Sequence, residues 1–78
     1  MNLIHKSKYL QLGLKISYYR KLKGLTQEQL AEKIDRTPAF IGHVEAPNIC
    51  KAISLDTLFD IAAALDIPAY KFIVFEDE

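Results

Sequence analysis

The chain has 78 residues, half of them hydrophobic, with ten Lys/Arg balancing ten Asp/Glu. That composition supplies a core and argues against disorder, yet a chain this short buries only about 60% of its unfolded surface, so association with a second copy would help it. The single cysteine, Cys50, excludes an internal disulfide and a cysteine-cluster metal site; no apolar run approaches the ~18 residues that span a bilayer, and no signal-peptide pattern opens the sequence, all of which suits a cytoplasmic protein.

The first segment with helical periodicity runs from about Leu10 to Lys23, with Leu12, Ile16 and Tyr19 on one face and Leu22 on an adjoining one. Lys21 and Lys23 suit its C-terminal dipole, and Gly24 is a natural residue to follow it. The next segment carries a full start signal: Thr26 caps, Gln29 closes a capping box, and Leu25 and Leu30 form a hydrophobic staple. Its apolar face is Leu30, Ala31 and Ile34, and it ends near Asp35. After the break Asp35-Arg36-Thr37, Pro38 reads as a first helical residue behind an N-cap, and a short helix follows to Glu45 with Ile41 and Val44 facing inward. Gly42 weakens that helix locally by about 1 kcal/mol relative to Ala. Ala46-Pro47-Asn48 ends it, and a loop leads to Ser54, which caps a further helix whose apolar stripe is Leu55, Leu58, Phe59, Ala62 and Leu65. Ile67-Pro68 stops that helix. A last short helix is expected from about Pro68 to Phe72, or a strand over Lys71–Phe75, before the acidic Glu76-Asp77-Glu78.

Charge is spread unevenly over these segments. Residues 1–51 carry nine Lys/Arg against four Asp/Glu, whereas residues 52–78 carry Lys71 alone against six acids. A basic stretch is one mark of a surface that meets a polyanion; a solvated basic face joined to an acidic tail gives the same count, and charge alone leaves both open. Equally, a short helix, a tight turn and a second short helix over about residues 26–45 fits a DNA-binding pair or any helical hairpin.

Residues 13–73 resemble the Cro/repressor-type helix-turn-helix family, which includes the lambda-like phage repressors. The likeness is carried by Gly13, Ile16 and Arg20; by Gly24-Leu25-Thr26-Gln27-Glu28-Gln29-Leu30-Ala31; by Ile34, Ile41 and Glu45; and by Ser54-Leu55-Asp56-Thr57-Leu58, Ile61-Ala62, Ala64-Leu65 and Ile67-Pro68. It implies an all-α bundle of about five short helices, a single domain with its core over about residues 10–73, and sequence-specific binding of double-stranded DNA by a small transcriptional regulator, a repressor. By the same likeness Thr26 and Gln27 contact DNA phosphate at a helix start, where amides and dipole attract an anion, although both also serve as capping residues. Arg20 and Glu45 correspond to an ion pair joining the first helix to the end of the recognition helix, a structural role.

On the recognition helix, Thr37, Pro38, Ala39, Gly42 and His43 are the positions that face base edges. Polar reach is confined there to Thr37 and His43, fewer than the family often has. Phe40 lies off the inward face; it contacts thymine methyl groups together with Ala39, or it packs on Arg36 or on a partner protein. Arg36 in the turn, and Asn48 and Lys51 in the loop, are candidate phosphate contacts, though a solvated side chain is the ordinary state of each. That loop, Ala46 to Ile53, is about two residues longer than the family's link, which leaves its contacts open, and Cys50 within it reads as a spectator thiol.

No paired carboxylates, nucleophile–base set or phosphate loop is present, so neither catalysis nor a cofactor is expected, and His5 with His43 in separate segments makes no metal site. The alternative function is a protein-interaction or antitoxin-type adaptor on the same fold. Ile67, Tyr70, Ile73, Val74 and Phe75 exceed what a small core needs and form a homodimer interface, unless they fold back on the first helix beside Leu3, Ile4, Tyr9 and Leu10.

Overall fold

The computed structural model describes residues 3–75, with side chains from Ile4; the acidic Glu76-Asp77-Glu78 and the Leu3 side chain lie outside the described residues. Every described element is helical, so the all-α reading holds. The elements are α1 (Lys6–Leu22), α2 (Gln27–Lys33), α3 (Pro38–Glu45) and α4 (Leu55–Leu65), with short 3-10 turns at Leu3–His5 and Ala69–Phe72.

Two boundaries differ from the sequence reading, each for a physical reason. α1 starts at Lys6 rather than near Leu10, because no glycine or proline precedes Gly13 and Lys6, Lys8, Leu10 and Gln11 all favour helix. The Gln11 amide also donates to Ser7 Oγ across one turn, at 3.2 Å. The last segment is a 3-10 turn rather than a fifth α-helix or a strand. Phe72 is fully buried and stacks edge-on against Tyr19 of α1, 5.2 Å between ring centres, which ties the segment to the core before a helix can lengthen.

The three tight connections share one device. At each, a residue in the left-handed region reverses the chain: Gly24 (φ 74°), Asp35 (φ 58°) and Asp66 (φ 55°). The following amide then reaches back to the last free carbonyls: Leu25 N–H donates to Arg20 O, Arg36 N–H to Ala31 O and Ile67 N–H to Ala62 O. This double reach-back is the Schellman arrangement, and it explains why the chain turns at once between helices. α2, α3 and α4 start behind side-chain caps, Thr26, Thr37 and Ser54 respectively, and Thr26 with Gln29 completes a reciprocal box.

The core draws Leu12 and Ile16 from α1, Leu30 and Ala31 from α2, Ile41 and Val44 from α3, and Leu58, Ile61 and Leu65 from α4. The α4 stripe is narrower than its sequence suggests: Leu55 and Phe59, one turn apart on its outer edge, remain 64% and 52% exposed. Gly13 sets how α1 meets α3. A Cβ at that position would overlap the Val44 carbonyl, so only glycine permits the crossing.

Candidate nucleic-acid interface

α3 presents an open face whose limits follow from helical arithmetic. Ile41 is fully buried. At about 100° per residue, Ala39 and His43 fall within about 20° of the point opposite Ile41, while Phe40 and Gly42 flank it at about 100° on either side. Ala39 and His43 are indeed exposed, as are Thr37 and Pro38 at the helix start. The Thr37 hydroxyl accepts the Phe40 amide N–H at 3.2 Å, so toward a ligand it retains its O–H as a donor.

The Gly42 flank is held from beneath by a buried ion pair. Arg20 donates from Nε to Glu45 Oε2 at 2.7 Å and from Nη2 to Oε1 at 2.9 Å, and its Nη1 donates to the Leu25 carbonyl at 2.7 Å. The side chains are 9% and 5% exposed, so both charges are largely out of water and each relies on the other. The bond to Glu45 raises the guanidinium's pKa, against the opposing pull of burial. The Glu45 carboxylate accepts a third donor, Gln27 Nε2, at Oε1 and 3.1 Å. Gln27 therefore lies over Gly42, its Oε1 3.6 Å from where a Cβ on Gly42 would stand. This links α1, the start of α2 and the end of α3 through one carboxylate. Thr26 at the same end is exposed, and its hydroxyl is engaged in the cap.

The Phe40 flank is built differently. The Arg36 guanidinium lies over the Phe40 ring, 4.5 Å from its centre, and Lys51 Nζ lies 5.5 Å from the same centre. Arg36 Nη2 also donates to Thr57 Oγ1 at 3.1 Å, and Ser54 Oγ donates to that oxygen at 3.0 Å. The turn before α3, the loop after it and the start of α4 thus meet around one half-buried ring. Neither Arg36 nor Lys51 pairs with a carboxylate among the described residues. Asn48 is exposed in the turn after α3. Cys50 is half-buried, its Sγ 3.9 Å from the Lys6 carbonyl.

Sequence reasoning missed Gln27 as a partner of Glu45 and Thr57 as the acceptor for Arg36. The second has a faint signal, since Ser54 and Thr57 stand in cap spacing, but nothing local points that pair at a residue twenty-one positions earlier.

Of the proposed interface set, Tyr70, Val74 and Ile73 are 62%, 59% and 48% exposed, whereas Ile67 and Phe75 are half-buried against the core. Ile73 and Phe75 line a groove of about 280 Å³ with Tyr9, Leu12, Leu55 and Leu58, and the groove's rim carries His5 and Lys8. Among the described residues no helix is long and apolar enough to cross a membrane, and no three His, Cys, Asp or Glu gather as metal ligands.

A family model described as helix-turn-helix matches residues 16–72, most of the chain. Solved structures agree. The restriction-modification controller protein C.AhdI from Aeromonas hydrophila is similar with a TM-score of 0.80 and 29% identity, covering 87% of this chain and 96% of its own. The hypothetical transcription factor NHTF from Neisseria is similar at 0.79 and 26% identity, over 90% of this chain and 76% of its own. SinR, the master regulator for biofilm formation, solved in complex with DNA, is similar at 0.74 and 28% identity, over 81% and 98%. No curated protein sequence matches significantly. The chain belongs to the helix-turn-helix family, in its Cro/repressor-type branch, and by that membership it is a DNA-binding regulator of transcription.

Proposed function

We propose that α3 enters the major groove of a specific duplex site and that the chain, as a homodimer in the cytoplasm, represses transcription by occupying that site, without catalysis. The observation that carries the reading is the layout of α3. Its centre line, Ala39 and His43 with Thr37 at the start, bears no large side chain that would block approach to base edges. Its two flanks hold polar and cationic groups where the two phosphate strands bordering a groove would run. His43 donates to guanine or accepts from a base amino group, the Thr37 hydroxyl donates, and Ala39 meets thymine methyl groups. Thr26 and Gln27 meet phosphate on one flank; Arg36 and Lys51 do so on the other, with Asn48 beyond the end of α3.

The exposed Tyr70, Ile73 and Val74, together with Leu55 and Phe59, support the homodimer. Of these, Leu55 and Ile73 line the groove, while Ile67 and Phe75 pack against the core, and paired half-sites need paired recognition helices. Domain extent is read likewise: one domain over the whole chain.

The test is fluorescence-anisotropy binding to a random duplex pool at low and moderate salt, with sequencing of the retained fraction, beside sedimentation of the free protein. Enrichment of a palindrome with affinity falling as salt rises is the expected result. Salt-insensitive or absent DNA binding would instead move the chain to the adaptor reading, which the apolar Ala39 and Phe40 on α3 favour.

A further inference from the structure

Phe40 lies on the flank of α3, off its inward face, and its surroundings give it a task other than reading bases. The ring is half-buried and packs against the core. Arg36 comes to it from the turn before α3, and Lys51 from the loop after. An acidic residue at this position would also gather the two cations, but it would neutralise them. An aromatic face attracts cations through its quadrupole and leaves their full charge available to a third group. The two distances, 4.5 and 5.5 Å to one centre, put the charges no more than about 10 Å apart, within roughly one Debye length. Two like charges so placed, neither paired with a carboxylate among the described residues, favour an approaching anion.

The fixing is also directional. Arg36 is held on a second side by Thr57 Oγ1, which spends one of its five donors and leaves the rest. Lys51 sits in a loop without regular structure, and the ring contact is what defines the position of its ammonium.

We infer that Phe40 is a positioning residue, whose ring holds Arg36 and Lys51 as one preorganised, un-neutralised pair for the DNA phosphates on that flank of α3, and that it does not itself read a base. This rests on the DNA-binding reading above, and deepens it.

The experiment compares the wild type with Phe40→Leu, which keeps an apolar side chain able to touch a thymine methyl but has no π face. In the free protein, NMR should show the Arg36 and Lys51 side-chain protons shifted by the ring current, and those shifts should vanish in Phe40→Leu while the fold, followed by circular dichroism, persists. Against the selected duplex and an unrelated one alike, Phe40→Leu should weaken binding by about fivefold and make the log K versus log[salt] slope shallower by about one. Base preferences should stay unchanged, and Phe40→Leu should have little effect in an Arg36→Gln/Lys51→Gln background. Absence of the ring-current shifts in the wild type overturns the positioning role irrespective of DNA. An unchanged slope with lost preference at one base pair makes Phe40 a reader and overturns it too, as does unchanged binding. Wild-type protein that retains no duplex at low salt overturns the DNA reading itself, and this inference with it.

Discussion

Arg20 and Arg36 sit on either side of the same recognition helix, and the fold uses the same chemical group in opposite ways. Arg20 is buried, bidentate to Glu45 and further bound to a backbone carbonyl, so its charge is consumed inside the molecule. Arg36 is exposed, rests on an aromatic ring and a hydroxyl, and keeps its charge outward. The first fixes where α3 lies; the second fixes what α3's flank offers. Whether a cation serves the scaffold or the ligand is therefore decided by its partner: a carboxylate in a dry site, or groups that orient it without neutralising it.

The largest effect is expected on the scaffold side. Glu45→Ala leaves the Arg20 guanidinium buried without its counter-charge and releases Gln27; stability should fall by about 3 kcal/mol in urea denaturation. Gly13→Ala attacks the same crossing sterically. Because the obstacle is the Val44 backbone rather than a movable side chain, a loss of about 2 kcal/mol is expected in the same assay. Arg36→Gln should reverse the pattern, with DNA affinity falling roughly tenfold and a shallower salt slope, but a stability change within about 1 kcal/mol for the lost Thr57 bond. If Arg36→Gln proves as destabilising as Glu45→Ala, the contrast between the two arginines collapses. The smallest effect sharpens it from outside: Asp66→Gly, at a left-handed position far from both flanks, should raise stability by about 0.5 kcal/mol and leave DNA affinity unchanged.

Much of this fold is legible in the sequence because its determinants are local. Thr26 with Gln29, Thr37 before Pro38, and Ser54 three residues ahead of Thr57 are short-range signals, and each marks a real helix start. What sequence misplaced depends on distant packing. Leu55 and Phe59 have the period of a core stripe, yet the core runs out before it reaches them. The start of α1 carries no cap to mark it, since His5 makes no side-chain cap bond. At the interface, the exposed line of α3 follows from spacing alone. Arg20 and Glu45 are twenty-five positions apart, and only a resemblance could pair them. The Arg36–Phe40–Lys51 cluster needs the path of an irregular loop, which has no periodicity to read.

In the proposed division of labour the middle of α3 reads bases while its flanks take phosphates, and His43→Ala separates the two. Duplex selection and salt titration of this variant should show altered preference at one base pair in each half-site with the salt slope of the wild type. An unchanged selected sequence, or a slope that falls as it does in Arg36→Gln, would contradict the division of labour proposed for this helix.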